Sequence, residues 1–408
     1  MVYQLYGDGV HDDYPAIQEM IDSGVSEVVL PMPKEHYLIS QTLSLPSNFR
    51  LVLPRFAEIR LADGANCFMV KNKTVQKPLD RHPVVPEFFY YSNEFSPDED
   101  DCARNIEISG GIWNLNNKGQ NPNPLQTCVY EPKGYNGMGM LFYNVRNLKL
   151  SCMTLKNPVN FAVTFDIVSY FTVEDITFDF NYGNPNAVNM DGIHLDGNCH
   201  YGVIRNLKGA CYDDLVALNA DEGSNGPITN IQIDGIFAEK CHSAVRLLTM
   251  RNAVEKIHIS NVYGTYYQYA FSFTRYRTVP GDGYFDAITI DNAYVSKSER
   301  HSDYCNVDSD GYALIFIQAN TTVKNLKISD LHRKENNYPI ETILVQEGAV
   351  VERLILDNVT TQNNTGKDMP CLVNNGTVGT VVYRNCETGG DEILVNHNIV
   401  GCVKGCNE

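Results

Sequence analysis

"IQIDGI" (Ile231–Ile236) decides how the chain is read: two isoleucines separated by one polar residue, then Asp-Gly, then another isoleucine. The same pattern returns as "IEISGGI" at Ile106, "LKLSCM" at Leu148, "FTVEDI" at Phe171 and "GVIRNL" at Gly202. It continues as "IHISNV" at Ile257, "ITIDNA" at Ile288, "LKISDL" at Leu326, "LILDNV" at Leu354 and "VVYRNC" at Val381. From Phe171 onward the copies start 26 to 38 residues apart. Alternation of period two is the mark of a strand, and repetition at a loose period of this length is the mark of a solenoid. Each copy supplies inward apolar side chains, and the small or polar pair after them supplies a bend. The expected fold is all-β: a right-handed single-stranded parallel β-helix of stacked rungs, forming one domain over residues 1–408.

A stack of rungs exposes apolar side chains at its ends unless something covers them. "DDYPAIQEMIDSG" (Asp12–Gly24) supplies such a cover, with Ala16, Ile17, Met20 and Ile21 on one helical face and Gly24 ending the helix. The cap is expected within about residues 1–30, with Asp12 and Asp13 as turn and N-cap groups. A long insertion is expected at about 70–103, and shorter ones at Arg275–Phe285 and Lys297–Gly311. Together they predict a partly closed groove.

The chain has 408 residues, of which 43% are hydrophobic, enough for a sizeable core. A formal charge of −17 argues against nucleic acid or an anionic membrane as a partner. No apolar run approaches the length of a membrane span. "MVYQLYGDGV" lacks the basic and apolar regions of a secretion signal, which predicts a cytoplasmic chain, or a secreted one already trimmed. Twelve cysteines are scattered without Cys-x-x-Cys spacing; Cys152, Cys241 and Cys386 are expected as buried free thiols, and a Cys402–Cys406 bridge is not required. No metal and no cofactor is implied.

A second column of strands aligns beside the first: "AVTF" (Ala162), "GIHL" (Gly192), "LVAL" (Leu215), "AVRL" (Ala244), "AFSF" (Ala270) and "ALIF" (Ala313). Their third positions point outward: Thr164, His194, Ala217, Arg246, Ser272 and Ile315, with Leu344 on the rung after. Three residues earlier come Phe161, Asp191, Asp214, Ser243 and Tyr269. An Asp-Asp pair ordinarily marks a turn. Here the register puts Asp191 and Asp214 at one corner of neighbouring rungs, with Asp213 beside them. Crowded carboxylates raise at least one pKa, and an acid that keeps its proton beside an ionised carboxylate is what glycoside hydrolysis needs. Candidate catalytic residues are therefore Asp191, Asp213 and Asp214. Candidate substrate contacts are His194, Asp196, Asn219, His242, Arg246, Arg275, Tyr267 and Tyr269. Asp221 and Glu222 read as loop residues, with Glu222 within reach of the rim. Tyr266 and Trp113 are open between sugar stacking and structure.

At "NMDG" (Asn189–Gly192) and "YDDLVAL" (Tyr212–Leu218) the chain resembles the polygalacturonases and their glycoside hydrolase 28 relatives; "GDGVHDDYPAIQEMID" resembles the opening of many pectin-lyase-like β-helix proteins. The resemblance implies Asp213 as general acid, Asp191 and Asp214 as the groups that hold and deprotonate water, and inversion at the anomeric carbon. Its specific motifs span about residues 189–250. Two departures stand out. Ser243, in "KCHSAVRLL", occupies the family's histidine position, and "SFT" (Ser272–Thr274) replaces the basic Arg-Ile-Lys that grips a substrate carboxylate. Arg246 or Arg275 is left to compensate, which points to a divergent branch acting on a neutral or differently placed sugar. An oligo- or polysaccharide is the expected partner, and a homo-oligomer is compatible with the fold. A polysaccharide lyase, a fructan-type transglycosylase and a non-catalytic glycan-binding β-helix, such as a phage tail component, are the alternatives.

Overall fold

The computed structural model describes residues 4–73, 102–121, 137–180, 189–275, 281–300 and 311–406. Most of the insertion expected at 70–103, and parts of those at 275–285 and 297–311, lie outside these residues. Every strand pairing among the described residues is parallel, and each rung pairs with the next in the register that the repeated motif predicts. Ile106 lies against Leu148, Leu148 against Phe171, Phe171 against Gly202 and Gly202 against Ile231. The column runs on through Ile257, Ile288, Leu326 and Leu354 to Val381. Phe49 and Val403 extend it at the two ends. The fold is a right-handed single-stranded parallel β-helix.

Inside, Ile231, Ile233, Ile257, Ile259, Ile288 and Ile290 are buried and belong to one continuous apolar core that runs from Ile17 to Cys386. The second residue after each apolar pair bends the rung. It takes the left-handed conformation at Gly110, Cys152, Asp175, Asn206, Gly235, Asn261, Asn292, Asp330, Asn358 and Asn385. Gly, Asn and Asp visit that region at least cost, which is why the motif repeats them. Stacking then lets the bend residues bond to polar residues of the next rung. Asn261 Nδ2 donates to Asp234 Oδ1 at 2.5 Å, Asn292 to Asn261 at 2.6 Å and Asn358 to Asp330 at 2.5 Å. Cys152 sits at such a bend and is exposed, which corrects its expected burial; Cys241 and Cys386 are buried free thiols, and Cys402 is an exposed free thiol.

The helix Tyr14–Asp22 caps the N-terminal end with Ile17 and Ile21 buried and Met20 packed against the core. Asp12 accepts the Tyr14 N–H at 3.0 Å, as a turn residue does. Asp13 does not cap the helix with its side chain. It reaches instead to the N–H groups of Tyr6 and Gly7 and to that of Leu38. No helix among the described residues is long and apolar enough to cross a membrane.

Replacing Asn261 with Ala removes its two side-chain bonds and the short polar side chain that eases left-handed backbone. The expected loss is about 2–4 kcal/mol, against about 1–2 kcal/mol for Asn261→Gly, which keeps the bend and loses only the bonds. Urea unfolding midpoints of the two variants and the parent check this ordering.

Candidate active site

The site is built on three consecutive rungs of the second column. Val163 pairs with Ile193, Ile193 with Val216 and Val216 with Val245, so Thr164, His194, Ala217, Arg246 and Ser272 share one outward position. The next member is Phe316, not Ile315, which pairs with Phe271 and points inward; Leu344 follows Phe316. "ALIF" is apolar throughout, so alternation gave it no phase.

Asp191 precedes its strand. Its carbonyl accepts the Ala162 N–H at 2.9 Å, while the Gly192 N–H donates to the Asp214 carbonyl at 2.9 Å. Three rungs are thereby tied at this corner, and the side chains follow the backbone. Asp191 Oδ1 accepts the Asp214 N–H at 3.3 Å. Ser243 Oγ donates to Asp214 Oδ1. Arg246 forms ion pairs with Asp213 Oδ1 at 3.2 Å and Asp214 Oδ2 at 2.8 Å, and both of its contacting nitrogens donate to Tyr269 Oη. His242 Nδ1 stands 3.4 Å from Asp213 Oδ1. Asp213 is 7% exposed, against 2% for Asp191 and 0% for Asp214, so it is the carboxylate of the trio with most surface.

A second cluster adjoins the first. His194, expected to face outward, is buried beneath the ring of Phe161, which stacks on it at 3.9 Å. Its Nδ1 lies 2.6 Å from Asp191 Oδ2, and its Nε2 lies 3.1 Å from Asp196 Oδ1 and 3.3 Å from Glu222 Oε2. Asn219 donates to Glu222 at 2.8 Å. Asp166, behind Asp196, accepts two bonds from Ser224.

Burial, followed by the charge of Asp213, pushes Asp191 up to about 6, with His194 acting in the opposite direction. Burial pushes Asp214 well above the usual carboxylate range; Arg246 opposes this, and Asp213 and Asp191 add to it. For His194 burial favours the neutral ring, but the bonds to Asp191, Asp196 and Glu222 outweigh it and hold the imidazole well above its ordinary value. Burial lowers His242 to about 4, so that ring is neutral at pH 7. His194, Asp196 and Glu222 form one group whose donor atoms have metal-ligand spacing, and Asp213, Asp214 and His242 form another. Arg246 supplies positive charge to the second of them.

Other expected contacts fall elsewhere. Tyr266 and Tyr267 are buried core side chains, and Tyr269, also buried, stays at the site as the acceptor of Arg246, which corrects the reading of all three as platforms for sugar rings; Trp113 is also buried and donates to the Gly110 carbonyl. The Arg275 guanidinium donates to the Gly281 carbonyl. Asp221 organises its own turn, accepting the N–H groups of Met250 and Arg251. Glu222, Asp166 and Phe161 were not singled out as site residues. Only Glu222, in "NADEG" just after the Asp214–Asn219 strand, carried a signal: an acid in a turn that folds back over the neighbouring rung.

No protein-family model and no curated protein matches the chain by sequence. Solved structures share its fold. A family 28 exopolygalacturonase of Yersinia enterocolitica aligns over 98% of this chain and 77% of its own, at 14% identity and a TM-score of 0.62. An endo-xylogalacturonan hydrolase of Aspergillus tubingensis aligns over 99% of both chains, at 14% identity and a TM-score of 0.58. The A-module of a mannuronan C-5 epimerase of Azotobacter vinelandii covers 99% of this chain and 96% of its own, at 13% identity and a TM-score of 0.57. The likeness is one of fold. At such identities the same solenoid carries hydrolysis and epimerisation alike, so chemistry has to be argued from the side chains.

Arg246→Met would leave Asp213 and Asp214 facing each other without a counter-charge. A destabilisation of about 3–5 kcal/mol is expected at pH 8. It should shrink at pH 5, because carboxyls whose pKa is raised take up protons as pH falls through that range. Urea unfolding of parent and variant at the two pH values measures both the sign and the shift.

Proposed function

We propose that the chain is a carbohydrate-active enzyme that hydrolyses a glycosidic bond of an oligo- or polysaccharide by acid/base catalysis. The observation that carries this reading is the convergence of Asp191, Asp213 and Asp214 on one corner, where burial and mutual repulsion push Asp191 and Asp214 toward protonation. Carboxyl groups in such contact cannot all ionise, so the corner retains a proton near neutral pH and keeps negative charge beside it. In this reading the proton that the trio shares passes to Asp213, the most exposed of the three, which delivers it to the leaving oxygen and leaves Asp191 and Asp214 ionised. Asp191 and Asp214 hold and deprotonate the attacking water, and the anomeric carbon is inverted. Arg246 pairs with Asp213 and Asp214 and holds those two carboxylates in place.

The test is a reducing-end assay on a panel of neutral and uronic glycans, with Asp213→Asn as the control. Turnover by the parent should fall about 10²–10⁴-fold in the variant. Proton NMR of the first product should give the anomer opposite to that of the bond cleaved. A product with the ultraviolet absorbance of an unsaturated uronide would replace hydrolysis by elimination. No turnover of any glycan, together with equal glycan binding by parent and variant, would leave a binding protein.

A further inference from the structure

We infer that His194 is the positioning residue of Asp191, gripping Asp191 Oδ2 through Nδ1 while Asp196 and Glu222 fix its own Nε2. The role rests on the hydrolase reading above, in which Asp191 acts on water. Both ring nitrogens face carboxylate oxygens, at 2.6 Å on one side and at 3.1 and 3.3 Å on the other. With these carboxylates ionised, as the hydrolase reading requires of Asp191, they only accept hydrogen bonds, so each nitrogen donates and the ring carries both protons. A neutral ring would set a bare lone pair against one of these oxygens. Phe161 lies over the ring within 10° of parallel and blocks tilting toward another partner.

The groups packed around the ring agree with this. Asp191 comes from just before its strand, Asp196 from just after it, and Glu222 from the turn of the next rung. Thr164 and Ala217, at the same position one rung to either side, are uncharged. Asp166 is a more distant acid that also interacts with the ring's charge. Arg246 acts on Asp191 and Glu222, and its own ion pairs are with Asp213 and Asp214. The consequence falls on Asp191. Oδ2 is held by His194 and Oδ1 by the Asp214 N–H, which fixes the carboxylate plane. The imidazolium also favours the ionised form of Asp191 against the repulsion of Asp213.

Two near-isosteric variants separate the bonds. In His194→Asn the amide nitrogen stands where Nδ1 stood, keeping the Asp191 bond without its charge. In His194→Gln the amide nitrogen stands nearer to Nε2, keeping Asp196 and Glu222 and releasing Asp191. The readouts are the pH profile of kcat/KM on a glycan from the panel that the parent hydrolyses, and nitrogen-15 NMR of the parent imidazole. The parent ring should be protonated on both nitrogens at pH 7. His194→Asn should move the acidic limb of the profile upward by about one pH unit, with KM within about twofold of the parent. His194→Gln should lower kcat about tenfold further than His194→Asn. A singly protonated ring at pH 7 overturns the inference, as does an acidic limb unmoved in both variants. Equal losses at every pH, tracking a lowered melting temperature, would reduce His194 to a packing residue. Hydrolysis with a singly protonated ring leaves the hydrolase reading standing and removes this inference alone; no turnover by the parent removes both.

Discussion

Parallel stacking at about 4.8 Å makes each side chain the nearest neighbour of the same position one rung away. That constraint governs most of the molecule. Inward positions must be apolar on every rung, or a polar group would be buried among hydrocarbons. Bend positions must tolerate left-handed backbone, and once they are Asn or Asp their side chains can bond along the stack, as Asn261 does with Asp234 and Asn292. The same spacing punishes like charges, because a column of acids has no room to diverge.

At the corner of Asp191, Asp213 and Asp214 the constraint works against stability. Acids on adjacent rungs are tolerated there because cations are packed beside them: Arg246 against Asp213 and Asp214, and His194 against Asp191, Asp196 and Glu222. Burial opposes every one of these charges, and Asp191 and Asp214 respond by moving toward protonation. A merely structural stack would gain from apolar residues of similar volume in these places, since buried ion pairs are seldom a net source of stability. The acids therefore ask for a functional explanation.

How much of this was legible in the sequence follows from the same spacing. The register of the first column could be read because inward apolar residues and bend residues recur together, giving each rung both a phase and a stop. The corner could be read because Asp191 and Asp214 start equivalent strands. "ALIF" slipped by one residue because Ala313, Leu314, Ile315 and Phe316 are all buried, so nothing distinguishes in from out. The burial of His194 and Tyr269 was hidden for a different reason. An outward position on a β-helix normally meets solvent, and here it meets other polar side chains. Glu222 arrives through a turn, where alternation carries no information.

The outward column shows how two cationic groups share so small a region. Reading along the stack it runs Thr164, His194, Ala217, Arg246, Ser272. Ala217 separates the two cations by two rungs, or about 10 Å of backbone. On adjacent rungs they would repel each other and compete for the same carboxylates. With a methyl group between them, the guanidinium turns to Asp213 and Asp214 while the imidazole turns to Asp191 and Glu222. A small residue with no chemistry of its own thus divides one crowded acidic region into two separately balanced sites, and Asp191, bonded to His194 on one side and to the Asp214 backbone on the other, is where they join.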